Sequence, residues 1–273
     1  MPFAPFIILF ILQVACTAHA VDRPLYAVAT EATPVLSSAD IRAALSARDE
    51  CGQVRSLEFV ALPGTVFTVT GKQRTGDHTV LRVTTDDYPY PTTKGYYVDS
   101  RSVRLTDEKP GERVRRLPAG ETIIARMKTR LGKGYVWGGN VAEGVSDRWG
   151  DGSRTLLAGL DCSGLLYEAT GGYTPRNTSS LATYGRGVAV AGKSAAAIAA
   201  GLLPLDLIVW PGHVLIVIDR GNVIESRLVC GKPAEGVRVR PLSQVLAEVM
   251  RTRRPVDGIS GTGKEFVVRR WYE

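Results

Sequence analysis

Histidine is scarce in this chain, with three residues in 273, and cysteine nearly so, with four. Any chemistry that needs a neutral-pH proton carrier or a thiol therefore has few candidates, and each can be weighed singly. No dense Lys/Arg block or aromatic-rich RNA-binding motif is present, so nucleic acid is not an expected partner. Lys+Arg 34 still exceed Asp+Glu 27, with a pI near 9.3, which suits an anionic surface such as a bacterial wall. Internal repeats and low-complexity tracts are also missing, which sets repeat architectures aside. No metal site and no cofactor is expected.

The one long apolar run lies at the start, over residues 6–15, with Ala18-His19-Ala20 supplying a small-x-small cleavage pattern. Residues 1–20 are expected to be an export signal, too short to span a bilayer, although residues 1–10 contain no Lys or Arg. Cys16 raises a lipid anchor as the lesser alternative, because Gln13-Val14-Ala15 lacks the apolar residue usual three positions ahead of a lipidated Cys. The exported chain would sit in the periplasm or cell envelope with no transmembrane anchor. Three cysteines would remain, Cys51, Cys162 and Cys230. Either Cys51 and Cys230 pair in an oxidising compartment and leave Cys162 free, or both are buried and reduced.

Hydrophobic content of 44% and 273 residues allow one large domain or two modest ones. Residues 21–106 read as short strands broken by turns, at 66–70, 80–84 and 96–98, with a helix inserted at 38–48. Residues 107–117 are polar and contain Pro and Gly, the composition of a linker. From 118 to 273 the pattern changes: helices at 121–131 (Ile124, Met127 and Leu131 aligned) and 194–200, then strand runs at 205–210, 213–219 and 223–229. Helix 242–250 and strand 266–271 follow. Helices first and an antiparallel sheet after is an α+β arrangement.

Asp161-Cys162-Ser163-Gly164 precedes Leu165, Leu166 and Ala169 at helical spacing, so Asp161 reads as an N-cap and Cys162 as a first-turn residue. A thiol there sees the positive end of the helix dipole, which favours the thiolate, the nucleophilic form. A thiolate nucleophile needs a base. His19 leaves with the signal and His78 falls in the N-terminal strands, so His213 is the leading partner. It opens a strand just after Pro211-Gly212. Glu225 stands on the next strand, beyond Gly221-Asn222, where a hairpin would return it beside His213 to hold the imidazole. A surface-facing strand acid is the plainer alternative for Glu225.

With these residues in view, Tyr135-Val136-Trp137-Gly138-Gly139, Asp161-Cys162-Ser163-Gly164, Leu205-Asp206-Leu207-Ile208-Val209-Trp210 and His213 through Glu225 resemble the NlpC/P60 family of cell-wall cysteine peptidases, over roughly residues 118–255. Leu62-Pro63-Gly64-Thr65-Val66-Phe67 and Gly95-Tyr96-Tyr97-Val98-Asp99 resemble bacterial SH3-like domains. The resemblance implies a papain-like catalytic domain after a small SH3-like β-barrel, with Cys162 as nucleophile, His213 as base and Glu225 as third polar residue. The family most often has His in that third position. The resemblance also implies that Tyr135 lines the site and that Asp161 and Ser163 help bind a stem peptide and its free amino end. Arg176 is a candidate for a substrate carboxylate, against the plainer reading of a solvated loop residue. The segment 140–160, longer than usual, does not match an EF-hand loop and is expected to be a flap or surface loop.

The implied function is a peptidoglycan hydrolase cutting between D-γ-glutamyl and a diamino acid of wall stem peptides. An amidase or acyl transferase on the same Cys–His fold, and a catalytically silent wall-binding protein, are the alternatives.

Overall fold

The computed structural model describes residues 25–76, 78–150, 152–231, 236–261 and 263–272. The expected export signal, with Cys16 and His19, lies outside the described residues, as does Asp151. The fold is mixed α/β, mostly sheet with a few short helices.

Seven strands form the first sheet: β1 (Leu25–Ala29), β2 (Thr33–Leu36), β3 (Leu57–Ala61), β4 (Val66–Thr75), β5 (His78–Thr84), β6 (Tyr96–Asp99) and β7 (Val103–Thr106). Their spatial order is β3-β2-β6-β5-β4-β1-β7, with every pairing antiparallel. Helix α1 (Ile41–Ser46) is capped by the Asp40 carboxylate and buries Ile41, Ala44 and Leu45.

Helix α2 (Gly120–Lys128) opens the second half. Its buried residues are Ile123 and Met127, one turn apart, whereas Leu131 lies beyond the helix end and is 48% exposed. Ile124 is partly buried against the same core, so of the expected face Ile124 and Met127 pack inward and Leu131 does not, because the helix stops at Lys128.

The second sheet runs β12 (Arg186–Val188), β18 (Glu265–Arg270), β13 (Leu207–Trp210), β14 (His213–Val217), β15 (Asn222–Ser226), β16 (Val237–Pro241), with the short β17 (Arg254–Pro255) beside β18. Helices cover both faces. Leu207, Val209, Val214, Ile216 and Ile224 meet α2 and α3 (Cys162–Ala169). After the short α4 (Thr178–Leu181), α5 (Ala195–Gly201) and α6 (Leu242–Met250) meet Ile208, Leu215, Val217 and Val223. That double cover explains why these strands are apolar at nearly every position instead of alternating. Each such side chain contributes about 1.5–3 kcal/mol relative to exposure.

The segment 140–160 is not a flap. β8 (Asn140–Val141) pairs with β11 (Gly159–Leu160), and β9 (Val145–Ser146) with β10 (Thr155–Leu156). This narrow extension docks on the first sheet: Val145 enters the core of Leu36, Ile41 and Leu57, and the Trp149 indole donates to Asp99 Oδ2 at 3.0 Å. Asn140 pairs its side chain with both backbone groups of Val60, at 2.9 and 2.8 Å. The expected linker carries no helix or strand over 107–117 but is strapped down, with Arg113 bonding Gly171 O at 2.7 Å and Asp87 at 3.3 Å. A Cys51–Cys230 disulfide ties the region after α1 to the loop after β15, resolving the alternative left open by the sequence.

Candidate active site

Helix α3 begins where Asp161 turns the chain, its carboxylate accepting the Gly164 N–H at 2.6 Å. The next constraint is steric. A Cβ on Gly164 would collide with Gly139 O, so only glycine allows α3 to lie against the Gly138-Gly139 turn. Cys162 is thereby fixed at the first position of a helix whose residues are nearly all buried, and it is the free cysteine among the described residues.

His213 is delivered by a different element. The two-residue turn Pro211-Gly212, with Gly212 at φ +89°, folds β14 back on β13 so that Trp210 pairs with His213. Gly212 O lies 3.9 Å from Cys162 Sγ, which brings the turn over the thiol. In the following hairpin Ile216 pairs with Ile224 and Val217 with Val223, so His213 and Glu225 share a face. His213 Nε2 and Glu225 Oε2 are 2.8 Å apart. Nδ1 is then the ring nitrogen left for Cys162.

Burial pushes the His213 imidazole down, but hydrogen bonds to Cys162 and Glu225, and their charges, outweigh it and raise the group to about 9. Burial pushes the Glu225 carboxyl up, yet the His213 bond and charge, with Arg238, hold it at about 2. Glu225 is 1% exposed and needs these partners. Arg238 stands directly opposite it on β16, Nε to Oε1 at 3.1 Å, and Arg240 adds a 3.5 Å contact. Neither arginine was singled out from the sequence. The alternating Val237-Arg238-Val239-Arg240 run beside a strand bearing one acid was the available signal.

Two cavities flank the Cys162–His213 pair and share Tyr135 and Gly212. One, of about 330 Å³, is lined by Cys162, Asp161, Ser163, Tyr135, Glu58 and Tyr88 among others. The other, of about 460 Å³, is lined by His213, Glu225, Trp210 and several arginines. Burial, with the charges of Asp161 and Cys162, raises the Tyr135 phenol well above its usual range, so it keeps its proton and can donate. Glu58 and Tyr88 come from the first half of the chain, and the Tyr88 hydroxyl lies 3.4 Å from Glu58 Oε2. Sequence reasoning missed both. Glu58 is the one acid in the strand Leu57-Glu58-Phe59-Val60-Ala61.

Arg176 is not a solvated loop residue: it lines the Cys162 cavity from a buried position. It is 3% exposed, and its five N–H donors are met by Asn140 Oδ1, both oxygens of Asp161, Ser163 Oγ and Gly139 O. The same bonds occupy Asp161 on both oxygens, so these residues act together to brace the start of α3. Among the described residues, no group of three or more His, Cys, Asp or Glu is placed to hold a metal ion, and no helix is long and apolar enough to cross a membrane.

No protein-family model and no curated protein matches this chain. Solved structures with similarity to it are NlpC/p60 domain proteins of low sequence identity. RipD from Mycobacterium tuberculosis, a non-catalytic NlpC/p60 domain protein adapted to peptidoglycan binding, is 20% identical with a TM-score of 0.35, covering 57% of this chain and 100% of its own. NlpC1 from Trichomonas vaginalis is 12% identical with a TM-score of 0.40, covering 97% of this chain and 99% of that one. NlpC2 from the same organism is 13% identical with a TM-score of 0.37, covering 92% and 98%. Similarity at this level leaves the chemistry to be argued from the chain's own residues.

Proposed function

We propose that this chain is an exported cysteine endopeptidase of the NlpC/P60 type, cleaving the bond between D-γ-glutamyl and a diamino acid in peptidoglycan stem peptides. The observation that carries the reading is the relay from Cys162 through His213 to Glu225, set between two cavities. In this reading the second half is a papain-like catalytic domain and the first an SH3-like one.

Cys162 Sγ, as the thiolate, attacks the γ-carbonyl carbon. The N–H groups at the start of α3 stabilise the oxyanion, at roughly 3 kcal/mol per donor. His213 gives its proton to the departing amine, and a thioester to Cys162 forms. Water then adds to the thioester while His213 takes a proton from it, releasing the glutamyl fragment and restoring the thiolate. Glu225 holds the imidazolium in place throughout. Glu58, beside the Tyr88 hydroxyl, gives the Cys162 cavity an acidic wall. That favours a stem whose terminal L-Ala carries a free ammonium.

Digestion of purified muropeptides by the chain from residue 21, with Cys162→Ala alongside, tests the reading by mass spectrometry. L-Ala-D-Glu released only by the unmutated protein supports it. Release of the intact stem from muramic acid would make the protein an amidase. Binding to sacculi without cleavage or labelling by a thiol probe would make it a silent wall binder.

A further inference from the structure

The rims of the two cavities belong to different parts of the chain, and one covalent bond joins them. Cys51 lies in the segment after α1, and Cys230 in the loop after β15. The Cys51 segment is organised by a single carboxylate. Asp49 accepts the Cys51 and Gln53 N–H groups at 2.9 and 2.8 Å and pairs with Arg55 at 2.5 Å. From this turn Gln53 Oε1 accepts the Trp137 N–H at 2.9 Å, and the Arg55 guanidinium lies 4.3 Å from the centre of the Trp137 ring. Trp137 and Gly138 line the Cys162 cavity. On the other side of the bond, Arg227 and Leu228, just ahead of Cys230, line the His213-side cavity.

The fold does not depend on this bond alone. Asn140 with Val60, Trp149 with Asp99, and the Tyr90 hydroxyl with Ser180 Oγ at 3.0 Å also hold the two halves together. Cys162, His213 and Glu225 all stand in the second half. The Cys230 loop is held more lightly. Past the Arg227 N–H bond to Gly236 O at 3.1 Å, residues 228–230 carry no helix or strand. Opening the disulfide therefore leaves the halves docked and the relay intact, and loosens the loop that rims one cavity. Cys51 and Cys230 are both only partly buried, so an outside thiolate can reach the pair.

Resting on the endopeptidase reading, we infer that the Cys51–Cys230 disulfide is a redox switch on substrate binding: closed, it fixes the rims of both cavities; opened by a dithiol, it leaves a reactive Cys162 in a loose cleft. One thiolate of the dithiol attacks a sulfur of the pair, forming a mixed disulfide and releasing the other cysteine as its thiolate. The second thiolate of the reductant then displaces the remaining cysteine. The protein disulfide gains two electrons and two protons, and the dithiol ends as a cyclic disulfide. A substrate must afterwards order the loop itself. That cost falls on ground state and transition state alike, so it raises KM and leaves kcat nearly unchanged. A chain with both cysteines reduced is thus kept at low activity until it meets an oxidising compartment. The sign is opposite to that of a thiol enzyme in which reductant only restores an oxidised nucleophile.

The test measures kcat and KM of the full chain on L-Ala-γ-D-Glu-diamino acid tripeptides, in the diaminopimelate and lysine forms, before and after excess dithiothreitol. Mass mapping of alkylated cysteines reads the state of Cys51 and Cys230, and the rate of Cys162 alkylation is followed in parallel. Reduction should raise KM about tenfold, with kcat and Cys162 alkylation nearly unchanged, and re-oxidation should reverse it. Cys51→Ser with Cys230→Ser should show the raised KM in both media. The reduction arm needs no variant to fold. A pair that resists dithiothreitol in the native protein, or unchanged KM once it is shown to be open, would overturn the inference and leave the endopeptidase reading intact. So would a change in Cys162 alkylation in step with activity, since the bond would then hold the fold and not the cleft. Cleavage of neither tripeptide by the oxidised protein would remove the endopeptidase reading, and the switch with it.

Discussion

His213 Nε2 and Glu225 Oε2 stand 2.8 Å apart across the β14–β15 hairpin, and this contact sets the charge of the site. With Glu225 held anionic and His213 raised to about 9, the imidazole is a cation at neutral pH. It can therefore stabilise a thiolate and later surrender a proton.

Glu225→Gln removes the anion and keeps the shape. The His213 titration should move down from about 9, as followed by NMR of the imidazole. Turnover should fall by roughly 10²–10⁴-fold, the range for losing a positioned acid–base partner. A variant with unchanged His213 titration would break the link drawn between these two side chains.

Stability should depend on pH in two separate windows. His213 is raised from 6.5 to about 9, so its pairing stabilises the fold fully below pH 6.5 and is lost as pH rises through about 9. Glu225 is lowered from 4.5 to about 2, so its contribution is whole above pH 4.5 and is lost as pH falls through about 2. Thermal midpoints should thus hold between pH 4.5 and 6.5 as far as this pair is concerned. His213→Gln should flatten the alkaline decline, as read by calorimetry across pH.

Arg176 braces Asp161, so its loss should be a stability defect before it is a binding defect. Arg176→Gln leaves a buried carboxylate without its cation and should cost about 3–5 kcal/mol. Denaturant titration measures this directly. A variant of full stability whose only change is a higher KM would return Arg176 to the substrate.

Gly164→Ala drives a methyl group into Gly139 O. Overpacking of this kind costs about 1–3 kcal/mol, and here it also pushes the Cys162 turn away from Gly212. Lower stability and slower labelling by a thiol reagent should come together.

The hairpin bearing His213 was legible because its strands are apolar runs bounded by Pro211-Gly212 and Gly221-Asn222, both turn signals read locally. Asp161 as N-cap and Cys162 in the first turn were legible for the same reason. What the sequence hid depends on long-range contact. Arg176 sits 15 residues from Asp161, and nothing in Pro175-Arg176-Asn177 says that it is buried. Glu58 reaches the Cys162 cavity because the two halves dock, in part through Asn140 and Val60, which are 80 residues apart. The segment 140–160 looked like a loop because strands of two residues have no period to detect.

The most direct measurement is rapid quenching of the unmutated protein with L-Ala-γ-D-Glu-diamino acid substrate, followed by peptide mass mapping. The account predicts a transient L-Ala-γ-D-glutamyl thioester on Cys162, formed as the free diamino acid appears. Product formation with Cys162 never modified, or no product at all, would contradict it.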